Sequence, residues 1–194
     1  MKLSSIRKAL LTTSLLVAIG MLLFPLSSYG RQAHIRELLI TADARSIKLY
    51  AVLTDCFTHH MEKAIMAGVP TKFTFYIELW EEKPHWFDRR IVRLKVHHTL
   101  KYDNVKNVFY VYADEREAAG FPDMESAKRA MAELSGVPII PRSVLSTRKP
   151  YYLRVKAMLE KVRLPMHMEV LFFFVSLWNF ETDWVEKPLP AAIP

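Results

Sequence analysis

Every second residue is apolar through three stretches of this chain, and that period of two restricts the fold more than any other feature. Phe73, Phe75, Ile77 and Leu79 alternate with Thr74, Tyr76, Glu78 and Trp80. Val92, Leu94, Val96, His98 and Leu100 alternate with Arg93, Lys95 and His97. Tyr151, Leu153, Val155, Ala157 and Leu159 alternate with Arg154, Lys156 and Met158. Successive side chains of an extended strand point to opposite faces, so one set faces a core and the other faces water. That is the pattern of an antiparallel sheet with one wet face. Residues 35–42, 46–54, 107–113 and 138–145 read as further strands. The segment Val170–Trp178 is apolar on both faces and too short to span a bilayer, which predicts a central strand covered on both sides.

Two helices interrupt the strands. Residues 55–67 place Phe57, Met61, Ala64 and Ile65 on one face at three- and four-residue spacing. Thr54 or Asp55 can cap the start, Gly68 can close the end in the left-handed conformation, and Pro70 stops continuation. Residues 124–135 repeat the design, with Asp123 as cap, Met124, Ala127, Met131 and Leu134 as the stripe, and Gly136 then Pro138 as the stop. Polar joints lie between: a charged loop Glu81–Arg90 that holds Trp86, a turn at Tyr102-Asp103-Asn104, and a turn at Ser146–Pro150. The expected fold is a β-rich α+β domain over residues 31–186, with two short helices on antiparallel sheet. A two-sheet sandwich and a single curled sheet both fit. Lys187–Pro194, with three prolines, reads as a loose tail.

Ahead of this domain lies a different kind of sequence. Residues 1–30 carry Lys2, Arg7 and Lys8 and no acid, then an apolar run from Ala9 to Leu26, then Ser27-Ser28-Tyr29-Gly30. A basic start, an apolar middle and small residues at the end describe a secretory signal cleaved after Gly30. The apolar run, about 18 residues, also reaches the lower length of a membrane anchor. Either reading puts residues 31–194 outside the cytoplasm, periplasmic or tethered to the membrane by residues 9–26, because the positive end stays inside. Without those three cations the formal charge of the chain falls from +7 to +4, with signs well mixed. No basic stripe points to nucleic acid. Cys56, the one cysteine, excludes an internal disulfide and reads as a small buried hydrophobe.

Three segments resemble a family of exported bacterial proteins, domain of unknown function 4390. They are Lys63-Ala64-Ile65-Met66-Ala67-Gly68-Val69-Pro70-Thr71 with the strand after it, Tyr152–Leu159 with Leu164-Pro165, and the tryptophan-bearing end at Leu177-Trp178 and Trp184. The resemblance spans roughly residues 35–186. Met166-His167-Met168 stands where the family usually has a second proline. The resemblance implies an envelope domain with no assigned reaction. Some members are encoded beside a membrane sensor kinase, so the resemblance hints at a signalling partner of that kind.

Catalytic patterns are weak. His59-His60 and His97-His98 are adjacent pairs, with His85 and His167 elsewhere. Neighbouring strand residues face opposite sides, and neighbouring helix residues diverge by about 100°, so neither pair can serve one ion. No metal site and no cofactor is expected. Cys56 with His59 or His60 has nucleophile-pair spacing on one helix but no orienting third group. Glu81-Glu82, Asp114-Glu115-Glu117 and Glu181-Asp183 lie near ion-pair partners Arg89, Arg90, Arg116 and Lys187 rather than in an evident pocket. The sequence holds no Gly-x-Ser-x-Gly elbow, no His-Glu-x-x-His and no nucleotide loop.

The aromatic residues remain: four Trp, eight Tyr and eleven Phe. Most suit a strand core. Tyr76 and Trp80 share the face opposite Phe73, and Trp86 lies in the next loop, which makes Tyr76, Trp80 and Trp86 the candidate binding residues, a second buried face being the competing reading. The expected function is a non-enzymatic protein-binding or sensing-accessory domain at the outer side of the cytoplasmic membrane. The alternatives are a carrier of a lipid or small apolar ligand, with a cavity against the Val170–Phe180 strand, and a hydrolase assembled from His and acidic residues.

Overall fold

The structure, a computed structural model, describes residues 33–114, 117–146, 148–160 and 180–190. The chain divides into two units, Met1–Gly30 and Arg31–Pro194. All the described residues belong to the second. The export segment, the Val170–Trp178 strand, Leu164-Pro165 and the Met166-His167-Met168 run lie outside the described residues.

Among the described residues nine strands and two α-helices follow in order: β1 (His34–Ala42), β2 (Ser46–Thr54), α1 (His59–Met66), β3 (Thr71–Glu81), β4 (Arg89–Asp103), β5 (Val108–Ala113), β6 (Ala119–Phe121), α2 (Met124–Ala132), β7 (Glu133–Pro141), β8 (Tyr151–Leu159) and β9 (Val185–Pro188). They build two antiparallel sheets, β1-β2-β7 and β6-β5-β4-β3-β8-β9. The two-sheet arrangement is therefore the one this sequence adopts. The period-two sets fall where the alternation put them. Phe73, Phe75, Ile77 and Leu79 are at most 1% exposed, and Tyr151, Leu153, Val155, Ala157 and Leu159 are all buried. They share one core with Ile35, Ile40, Ile47, Leu49 and Leu53 of the smaller sheet and with Met61, Ile65, Ala127 and Met131 of the helices. Each fully buried Leu, Ile or Phe stabilises the fold by about 1.5–3 kcal/mol relative to exposure.

The helices are shorter than their stripes suggested. Helix α1 starts at His59, and Thr58 caps it by accepting the Met61 N–H at 3.3 Å. Thr54 ends β2 and Asp55 adopts a φ of +54°, so neither caps. Gly68 takes the left-handed φ of +84° and closes the turn into β3. Asp123 caps α2 as expected, with its carboxylate accepting the Ser126 N–H at 2.8 Å. This helix stops at Ala132, and the next residue opens β7. Leu134 is fully buried as a strand residue, and Gly136 sits at φ +64° within that strand, against the Tyr50 ring. Residues 133–135, expected as helix, are thus strand.

The tail also departs from expectation. Lys187 and Pro188 belong to β9, paired with Leu153 and Tyr152, and Leu189 is buried with its N–H donated to the Tyr151 carbonyl at 2.9 Å. A proline is tolerated there because β9 is an edge strand, which needs no donor on its outer side. Lys187 Nζ donates to the Leu38 carbonyl at 2.6 Å, which ties the edge of the larger sheet to β1 of the smaller. Strands β4 and β7 belong to different sheets and do not pair.

Candidate binding site

The outer face of the six-stranded sheet is set by register. On β3, Tyr76 lies between Lys95 of β4 and Lys156 of β8, and Glu78 between Arg93 and Arg154. Trp80 lies between Arg90 and Tyr152. On this face Tyr76, Glu78 and Trp80 therefore each meet cations from the neighbouring strands. Lys95 and Lys156 hold their ammonium groups 5.3 and 5.4 Å from the Tyr76 ring centroid. The Arg154 guanidinium is 4.6 Å from Trp80 and 4.5 Å from Trp184, and Lys156 is 5.0 Å from Trp184. Trp80 stacks on Tyr152 at 6.4 Å with an interplanar angle of 6°. Cations over aromatic faces are attracted by the ring quadrupole, at about 0.5–2 kcal/mol each.

Glu78 lies under this layer, with a side chain 2% exposed. It accepts from Trp80 Nε1 at 3.0 Å and from Arg154 at 2.7 and 2.9 Å, and pairs with Arg90 at 3.2 Å and Arg93 at 3.3 Å. Burial alone raises the carboxyl pKa. The hydrogen bonds from Arg154 and Trp80 and the charges of Arg154 and Arg90 outweigh it and hold the group below the ordinary glutamate value. Tyr76 and Trp80 are consequently half-buried and covered by arginine and lysine side chains. The face is neither a bare aromatic patch nor a second apolar core.

Trp86 stands apart from this layer. The loop between β3 and β4 presents Trp86 at 75% exposure and Phe87 at 85%, with ring centroids 6.2 Å apart in an edge-on pair. Hydrogen bonds hold the loop around them: Trp86 N–H to the Lys83 carbonyl at 3.3 Å, Lys83 N–H to Asp88 at 3.1 Å, and Tyr152 hydroxyl to Asp88 at 3.0 Å. At its base Glu81 accepts from Arg89 and pairs with Lys149 at 2.8 Å, which keeps its carboxyl below the ordinary value. His85 adopts φ +70°. Of the three candidate residues, two belong to the cation-covered face and one to an exposed hairpin apex. Phe87 was not singled out from sequence. Its signal was its place beside Trp86 in a loop otherwise made of charged residues, histidine and proline.

The histidines separate as their spacing required. His98 points inward, bonded through Nδ1 to the Met131 carbonyl at 2.9 Å and edge-on to Phe75. His97 points outward, 2.9 Å from Thr74 Oγ1 and 3.5 Å from Glu160. The Thr74 hydroxyl gives its one hydrogen to Glu160, so the Nδ1–H of His97 donates to the threonine oxygen. Lys72 pairs with the same carboxylate at 3.1 Å. An acid and a histidine meet here, each about a third exposed, across the buried Thr74. Cys56 precedes α1 rather than sharing it with His59 and His60. Its thiol is buried, and that burial pushes its pKa up to about 12. Among the described residues no group of three or more His, Cys, Asp or Glu is placed to hold a metal ion, and no helix is long and apolar enough to cross a membrane.

A groove of about 580 Å³ opens on the flank opposite Lys187, between β4, β7 and α2. Leu94, Val96, Ala130, Val137 and Pro138 supply most of its apolar lining, and Lys95, His98, Asp114, Glu133 and Ser135 its polar groups.

Comparison with known proteins finds the family model described as Domain of unknown function (DUF4390) over residues 30–187, and the chain belongs to that family. No curated protein and no solved structure matches the chain.

Proposed function

We propose that this member of the family is a non-enzymatic envelope domain that binds a protein partner, or assists a sensor, at the outer side of the cytoplasmic membrane. The contact is the β3–β4 apex. One observation carries the reading: Trp86 and Phe87 are adjacent, almost fully exposed, and held on a hydrogen-bonded loop at the end of two long paired strands. Leaving two large aromatic rings in water forgoes the stabilisation that burial supplies, and aromatic anchors of this kind dominate the energetics of protein interfaces. The composition of residues 1–30 supports the placement, and the sensor kinase implied by the family resemblance is the kind of partner it suggests.

The test replaces Trp86 in the full-length chain with a photo-crosslinking residue in the native host. The expected result is one discrete cross-linked partner, lost when Phe87→Ala is added. A smear of random products, or a product unaffected by Phe87→Ala, would overturn the apex as the contact. Reporter-enzyme fusions after residue 60 should be active only outside the cytoplasm.

A second reading, a carrier of an apolar ligand, draws on the groove between β4 and β7. That groove is only partly enclosed, whereas ligand carriers enclose most of a ligand's surface.

A further inference from the structure

We propose that the edge of β4 over Arg93–Val96, unpaired on that side among the described residues, takes with the groove beneath it an extended peptide of alternating apolar and acidic residues as an added strand. Strand β4 runs from Arg89 to Asp103, but β5 pairs with it only from His98 onward. The last link is at His97, whose carbonyl accepts the Asp114 N–H at 2.8 Å and whose N–H donates to the Asp114 carboxylate at 2.7 Å. Backbone direction repeats every two residues, so Lys95 and Arg93 turn their N–H and C=O groups the same way as His97, toward a side where no described strand pairs. An unpaired edge of this kind is a template for a further strand.

Side chains choose the occupant. Leu94 and Val96 line the groove together with Val137 and Ala130, so the inward residues of an added strand meet these apolar side chains, with Asp114, Glu133 and Ser135 at the same groove. Arg93 and Lys95 lie on the outer face, Arg93 52% exposed and Lys95 over Tyr76. Among the described residues no carboxylate pairs with Lys95. Outward residues of an added strand would lie beside these cations, and opposite charges favour cross-strand neighbours. A second copy of this chain pairing edge to edge would set Arg93 and Lys95 against their own equivalents, which like charge opposes. The peptide edge is separate from the apex of the proposed function, so either can fail alone.

The test uses the full-length chain in detergent micelles and a fluorescein-labelled eight-residue peptide alternating Val and Glu, with a Val–Lys peptide as control. Anisotropy should show the Val–Glu peptide binding at least tenfold more tightly. Binding should protect the Arg93 and Lys95 amides from hydrogen exchange. Lys95→Pro removes one outward N–H at an edge position and should weaken binding at least tenfold. Val137→Trp, which fills the groove, should do the same should the proline variant not fold. Arg93→Glu with Lys95→Glu should reverse the preference toward Val–Lys, and Trp86→Ala should leave it unchanged. Equal binding of both peptides, or binding indifferent to Lys95→Pro and Val137→Trp, would overturn the proposal. So would protection of those amides in the unliganded chain, whether by residues 161–179 or by a dimer seen in sedimentation.

Discussion

Arg154 donates both Nε and an Nη hydrogen to one oxygen of Glu78, at 2.9 and 2.7 Å, across the β3–β8 pair. The carboxylate sits on the outer face and also holds Arg90 and Arg93, so three arginines share this one anion, with Glu186 a further partner of Arg154. Glu78→Gln keeps the shape and removes the charge. Charge-assisted hydrogen bonds contribute about 1.5–3 kcal/mol each, and a loss in that range is expected in urea unfolding monitored by tryptophan fluorescence.

Acid should unfold the protein in a defined window. Glu78, Glu81 and Glu160 all have carboxyl groups held below the ordinary glutamate value of 4.5. Groups with a depressed folded pKa contribute stability that is complete above the unfolded value and is lost as pH falls through the folded one. The urea midpoint should be flat above about pH 5 and drop steadily below pH 4.5. Glu78→Gln should flatten that drop. A drop of unchanged steepness in the variant would remove Glu78 from the account.

Asp123 carries the start of α2 through two bonds to Ser126, one to its N–H at 2.8 Å and one to its hydroxyl at 2.9 Å. Asp123→Ala should destabilise by about 0.5–2 kcal/mol, while Asp123→Ser, which preserves the cap, should cost far less. Thermal unfolding of the two variants decides it.

Cys56 should be silent toward thiol reagents in the folded protein. Its sulfur is buried, lies 3.7 Å from the Leu53 carbonyl, and has its pKa pushed up to about 12 by burial. Thiolate is the reactive form, so a colorimetric disulfide reagent at pH 8 should label it only after denaturant is added. Rapid labelling of the native chain would restore the nucleophile reading.

Local pattern made the strands readable and left the surface obscure. The cores of β3 and β8 follow from alternation alone, because the pleat leaves no other choice of face. At the end of α2 the two periods overlap. Leu134 sits three residues after Met131, which fits a helix stripe, and two after Ala132, which fits a strand, and only Gly136 at φ +64° marks the change. Strand β6 has three residues and no pattern to read. The cation cover of Tyr76 and Trp80 depends on which residue of β4 and β8 lies opposite each one, a register that single-strand patterns do not encode. Trp86 was legible because nothing around it in sequence offered a core.

The fastening of Lys187 to Leu38 has a practical corollary for anyone shortening this polypeptide. The family match ends at residue 187, yet the chain remains hydrogen-bonded and buried at Leu189. Trimming at the end of that match would strip away the last rung beside Tyr151 and leave the clasp as a carboxy-terminal residue. A version cut instead beyond Pro190 keeps the Leu189 rung and the lysine clasp that fastens the edge of the larger sheet to the smaller one.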